Sequence, residues 1–147
     1  MSQWQLAQLN IAAMNTSLEA PEMADFVDNL ERINQLAEES PGFVWRLQTE
    51  EGDATALRPF GEDTLVNLSV WRDVESLREY VFKSQHAEFL RRRNEWFAKS
   101  EGPYVVLWWV PAGHQPDELE AGRRLTQLRE EGPGPEAFSF RQTFPAP

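Results

Sequence analysis

The feature that most constrains this chain is an ordered switch between two hydrophobic periods. Gln3 to Ala13 alternates with period two. Trp4, Leu6, Gln8 and Asn10 fall on one side and Gln5, Ala7, Leu9 and Ile11 on the other, which is a strand pattern. From about Pro21 to Glu39 the period changes. Met23, Phe26, Val27, Leu30, Ile33 and Leu36 recur at three- and four-residue steps and make one helical stripe. Pro21 suits the first turn, where its missing N–H has no helical partner to lose. Ser40-Pro41-Gly42 then stops the helix. Phe43 to Thr49 reads as a second strand, Glu50 to Asp63 as a long loop, and Thr64 to Arg72 as a third strand. Asp73 is placed to cap a helix whose apolar side is Val74, Leu77, Tyr80 and Val81. Ser84 caps a further helix to about Lys99, Gly102-Pro103 breaks it, and Tyr104 to Pro111 is a fourth strand.

The order β-α-β-β-α-β, with its second helical part split, predicts a ferredoxin-like α+β fold: a four-stranded antiparallel sheet with helices on one face. On the third strand Val66, Leu68 and Val70 lie on one side and Asn67, Ser69 and Trp71 on the other. Neither side suits bulk water, so the face without helices needs a cover. A homodimer packed sheet to sheet would supply one. After Pro111, Asp117 to Glu131 reads as an amphipathic helix, and Gly132-Pro133-Gly134-Pro135 ends it. Phe138, Phe140 and Phe144 make the remaining tail too aromatic to leave undocked. The expectation is one domain over residues 1–147, with a core at 3–111 and a C-terminal extension at 112–147.

Composition narrows the function. With 14 Lys+Arg against 24 Asp+Glu, the formal charge is −10. That argues against a nucleic-acid partner or an anionic membrane surface. Zero cysteines exclude disulfides, iron–sulfur clusters and thiol catalysis, and two histidines cannot form a three-His metal site. The longest apolar run, Tyr104 to Val110, is too short to cross a bilayer. Met1-Ser2-Gln3-Trp4 lacks a basic, then apolar, leader pattern, so a cytoplasmic location is expected. No G-x-G-x-x-G, Walker or G-x-S-x-G motif occurs. What remains is acid–base work, hydrogen bonding and aromatic enclosure.

His86 is the foremost candidate for that work. Leu90, Arg93 and Phe97 continue its stripe, flanked by Phe89 and Trp96, so the imidazole faces inward. There it is a base, a haem ligand, or a core histidine bonded to carbonyls. A second group is Asn67, Ser69 and Trp71. The first and third strands are central neighbours in this topology, so Gln8 and Asn10 could share that face. Such a row lines either a pocket for a flat, partly polar molecule or an interface between copies. Arg46 and Arg58 are weaker candidates for an anionic group. Arg91-Arg92-Arg93 reads mainly as solvated ion pairs, and His114 as a residue that orients the last helix.

The segments Leu6 to Ala12, Asn67 to Trp71, Ser84-Gln85-His86 with Arg91 to Phe97, and Trp108 to His114 resemble an uncharacterised bacterial family. That family is placed in the dimeric α+β barrel superfamily, beside the antibiotic-biosynthesis monooxygenases. The resemblance implies a homodimer that takes a small-molecule ligand. Cofactor-free monooxygenases of the superfamily oxidise phenolic, anthrone-like or quinol-like substrates with O₂ and carry an Asn and a Trp four residues apart, as Asn67 and Trp71 are. On that analogy Asn67 holds the substrate oxygen, Trp71 and Trp96 stack on its rings, and His86 handles a proton. Gln8, Asn10, Ser69 and Arg93 complete the pocket, with no metal and no cofactor. Haem-degrading members pair a first-strand Asn with a helical His, comparable to Asn10 and His86, which makes haem the alternative cofactor. A non-catalytic ligand-binding dimer is the alternative function.

Overall fold

The structure is a computed structural model that describes residues 3–50 and 52–147. Its sheet has four antiparallel strands, β1 (Trp4–Ala13), β2 (Phe43–Arg46), β3 (Thr64–Trp71) and β4 (Val105–Pro111), in the order β2-β3-β1-β4. The two central strands pair Leu6 with Trp71, Gln8 with Ser69 and Asn10 with Asn67. The pleat therefore gathers those six side chains on one face.

A 3₁₀ turn at Pro21–Met23 leads into α1 (Ala24–Glu39). The helix α2 (Val74–Lys83) starts at Asp73, whose carboxylate accepts from the Ser76 N–H at 2.8 Å. Then come α3 (His86–Arg91) and α4 (Arg93–Trp96). These helices cover the face that carries Leu6, Gln8 and Trp71. Ala37 and Leu77 pack there on Leu6, Trp71 and Leu107, and Met23 packs with Leu65, Trp96 and Phe97.

The opposite face is covered by the chain itself. Its Ala7, Leu9, Val66, Leu68, Val70, Val106, Trp108 and Val110 meet Ala121, Leu125 and Leu128 of α5 (Glu118–Glu131). Leu47, Ala54, Leu57 and Phe60 of the long loop complete the cover. The apolar face for which a second copy was expected is thus covered within one chain, by the extension and the long loop. The tail then rounds the β4 edge. Phe138 and Leu107 exchange two main-chain hydrogen bonds, 2.8 and 2.9 Å long, and Phe138 is fully buried. The Trp109 indole donates to the Phe144 carbonyl at 2.8 Å.

Two local departures from the expected elements have physical causes. First, β2 ends at Arg46 rather than Thr49, although the Leu47 N–H still donates to the Leu68 carbonyl at 2.8 Å. A register shift between Phe43 and Trp45 lets Phe43 pack on Trp71 while Trp45 joins the opposite face. Second, the helix expected to reach Lys99 breaks at Arg92 and ends at Trp96. Phe97 is extended and bridges to Met14, and the Ala98 N–H donates to the Ala13 carbonyl at 2.8 Å. The end of β1 captures that backbone. The expected turn at Ser40-Pro41-Gly42 is present, and it requires glycine: Gly42 has φ +86°, and a Cβ there would lie 2.2 Å from Ser76 Oγ. Among the described residues no helix is long and apolar enough to cross a membrane.

Candidate functional site

A cavity of about 330 Å³ lies between the sheet and the helices α1 to α4, lined by Gln8, Asn10, Asn67, Ser69, Trp71, His86, Arg93 and Trp96 among others. Those eight expected residues therefore face one space. Their individual contacts divide them into groups with different chemical capacities.

The strand residues form a chain of hydrogen bonds. The Trp71 indole donates to Ser69 Oγ at 2.9 Å. Gln8 Nε2 donates to Ser69 Oγ at 2.8 Å and to Asn67 Oδ1 at 2.6 Å, and Asn10 Nδ2 reaches Gln8 Oε1 at 3.4 Å. Gln8 and Ser69 are buried, at 5% and 6% exposure, so this pairing removes the cost of placing polar groups there. Gln8 has both ends of its amide committed to neighbours. Asn67 is exposed toward the opening, and its Nδ2 has no partner among the described residues.

The helical side holds an aromatic column. Tyr80 stacks on Trp71 with ring centroids 5.1 Å apart, and His86 lies 4.9 Å beyond Tyr80. The Tyr80 hydroxyl donates to the Ile33 carbonyl at 3.2 Å, and burial pushes its phenol pKa far up, only partly offset by Arg46. Tyr80 is thus a neutral spacer that fixes the imidazole. His86 Nδ1 lies 3.1 Å from the Val81 carbonyl. A carbonyl only accepts, so Nδ1 carries the proton and Nε2 the lone pair. Desolvation holds the His86 pKa below its ordinary 6.5, against the opposing bond to Val81. The ring is neutral at pH 7, and Nε2 has no partner among the described residues. The local fold explains this placement: Ser84 Oγ accepts from the His86 N–H at 3.1 Å and sets the start of α3.

Other expected residues have their chemistry engaged. Trp71 and Trp96 are each 1% exposed. Tyr80 covers one face of Trp71, while Trp96 has Phe89 stacked at 5.9 Å and the Arg92 guanidinium at 4.7 Å. Both rings are walls more than free stacking platforms. Arg93 lies over Tyr104 at 4.0 Å and donates to the Ile11 carbonyl at 3.3 Å. Arg46 is paired with Glu38 at 2.8 Å, Arg92 with Asp25 and Glu95 at 2.8 Å each. Arg58 donates to the Thr55 and Glu62 carbonyls and so holds its own loop. His114 pairs with Glu120 at 2.6 Å on the far side, where Glu120 also accepts from the Trp108 indole.

Sequence reasoning missed Tyr80 as a site residue and did not place Phe140 in the wall. The sequence pattern places Tyr80 in a helix's apolar stripe. Its signal was the hydroxyl, which a buried tyrosine must satisfy. Phe140 comes from the extension, packs on Phe82 at 5.1 Å and lines the same cavity. Among the described residues no group of three or more His, Cys, Asp or Glu is placed to hold a metal ion.

A family model described as a domain of unknown function, DUF3291, matches residues 5–147. The chain belongs to that family. No curated protein matches this DUF3291 chain. Solved structures similar to it include SnoaB, a cofactor-independent oxygenase from Streptomyces nogalater. That likeness has 14% identity and a TM-score of 0.49, over 78% of this chain and 98% of the other. A protein of unknown function from Nitrosomonas europaea is similar at 14% identity and TM-score 0.48, over 78% and 97%. A DABB-family protein with a ferredoxin-like fold from Mesorhizobium loti is similar at 14% identity and TM-score 0.45, over 74% and 99%.

Proposed function

We propose that this DUF3291 chain is a cofactor-independent monooxygenase acting on a flat aromatic substrate of the anthrone or quinol kind. The observation that carries the reading is the pairing of two unsatisfied groups in one cavity: the lone pair of a neutral His86 and the free amide nitrogen of Asn67. For an anthrone-like substrate, His86 Nε2 takes a proton from the activated CH₂ as general base. The enolate oxygen so formed accepts from Asn67, which stabilises the developing charge. The carbanion passes an electron to O₂, the two radicals combine at carbon, and the hydroperoxide loses water. The balance is R₂CH₂ + O₂ → R₂C=O + H₂O, with one oxygen atom in the product and one in water. Ser69, Asn10, Arg93, Trp71 and Trp96 act as the walls that position the ring.

The cavity volume supports a ligand of two or three fused rings, being at the small end of the ~300–1,000 Å³ usual for ligand sites. It does not fit haem. A macrocycle set on His86 Nε2 needs more room than this and partners for two propionates, whereas Arg46 and Arg93 are already engaged. A cytoplasmic setting and a homodimer belong to the same reading, with the α5-covered face unavailable to a second copy.

Oxygen uptake with anthrone and with a naphthoquinol tests the proposal. Catalysed uptake of one O₂ per substrate is expected. It should fall by about 10²-fold or more in His86→Gln and by about 10-fold or more in Asn67→Ala. Uptake equal to the uncatalysed rate, or unchanged in both variants, refutes it.

A further inference from the structure

Gln8 sits in the middle of the polar strip, 5% exposed, and a carbonyl beside it favours one direction for its amide. The Trp71 indole can only donate, so Ser69 Oγ must accept from it. The Asn67 main-chain carbonyl can only accept, and it lies 3.3 Å from Gln8 Nε2. That fixes the NH₂ end of Gln8 toward β3, where it also donates to Asn67 Oδ1 and Ser69 Oγ. The consequence passes outward. With Oδ1 held by Gln8, Asn67 turns its NH₂ toward the cavity. Ser69 Oγ accepts twice, from Trp71 and from Gln8, so its one remaining tetrahedral position is its own hydrogen. Two donors therefore stand side by side on a residue pair that lines the cavity. Asn10 gives an NH to Gln8 Oε1 and keeps its carbonyl oxygen as a single outward acceptor. None of these outward groups has a partner among the described residues.

We propose that Gln8 is a positioning residue that sets the hydrogen-bond polarity of this cavity, so that it selects ligands presenting a carbonyl or phenolate oxygen and rejects those presenting an N–H in the same place. A hydroxyl beside that oxygen would meet Asn10, which makes a hydroxyaryl ketone or hydroxyquinone the fullest match. The proposal rests on the reading of the cavity as a site for flat aromatics, and it requires no turnover. The same two donors would stabilise negative charge on the oxygen when His86 removes a proton.

Carbazole and 9-fluorenone test it cleanly, because they share one three-ring shape. The first offers an N–H donor where the second offers a carbonyl acceptor. Equilibrium binding of both to the full chain at pH 8 should favour fluorenone by about tenfold or more, since one arrangement makes two hydrogen bonds and the other leaves donors facing a donor. In Gln8→Glu the carboxylate can only accept. Asn67 then turns its NH₂ inward and its oxygen outward, Ser69 donates to residue 8, and the preference reverses toward carbazole. Gln8→Met keeps length without polarity, frees Asn67 to turn, and should bring the two affinities to within about twofold. It also carries the test if the carboxylate variant does not fold. Loss of stability alone cannot reverse a ratio of affinities, so a merely structural Gln8 predicts an unchanged preference in every folded variant. Equal wild-type affinities, a wild-type preference for carbazole, or a preference unchanged in Gln8→Met overturns the proposal. Binding of neither probe overturns it together with the cavity reading. The expected preferences without oxygen uptake leave the polarity rule standing and refute the oxygenase alone.

Discussion

Replacing Phe138 by alanine probes how firmly the extension belongs to the fold. Phe138 is fully buried, packed with Leu6, Trp71 and Leu107 and 5.8 Å from the Phe144 ring. A buried phenylalanine removes roughly 150–250 Å² from water. At about 25 cal/mol per Å², that is about 4–6 kcal/mol. Residual burial in the unfolded chain trims this to about 3–5 kcal/mol, which agrees with the usual cost of Phe→Ala in a core. The main-chain bonds to Leu107 do not need the ring, so they persist in the variant and keep the loss within that range. Urea unfolding followed by tryptophan fluorescence reads the difference directly, with an unchanged slope if the folded state stays intact. A loss below about 1 kcal/mol would refute the reasoning, because a ring that docks as described cannot be deleted so cheaply. Limited proteolysis beyond Gly132 should become fast in the same variant.

Three further outcomes follow from named contacts. Gly42→Ala should cost at least about 2 kcal/mol in urea unfolding, because φ +86° disfavours a side chain and the new Cβ would collide with Ser76. Asp73→Ala should cost about 1 kcal/mol through loss of the α2 cap, measured the same way. His86 gives a pH dependence: its folded pKa is depressed, so the unfolded chain takes up the proton first as pH falls. Its contribution to stability is full above 6.5 and is lost as pH drops through the lower folded value. Melts of wild type and His86→Gln between pH 5 and 8 should therefore converge toward the acid end.

The central sheet and its polar row were legible because a strand leaves little freedom. The two-residue period puts Gln8 and Asn10 on one face of β1 and Asn67, Ser69 and Trp71 on one face of β3, and the register that pairs Gln8 with Ser69 brings the two rows together. His86 was legible for the same reason on a helix stripe. The rest depended on contacts between segments distant in sequence. Trp96 reads as an aromatic beside a pocket, yet Phe26 and Phe89 from two other helices close over it. The direction of the Gln8 amide depends on the Asn67 main-chain carbonyl, which is 59 residues away. The cover over the far face was sought in a second copy, because an amphipathic helix does not state which surface it will meet. The Phe43–Trp45 register shift left no pattern at all, since both residues are aromatic and either face accepts them.

The chain has two histidines, so ¹⁵N-imidazole NMR with a ligand titration addresses the central claim with little overlap. His86 is expected to be neutral, with the proton on Nδ1, and to stay so below pH 6.5. Its Nε2 resonance should move on addition of 9-fluorenone or anthrone while His114, on the opposite side of the sheet, does not. An imidazole that titrates at 6.5, carries its proton on Nε2, or shows no response to a ligand that binds would contradict it.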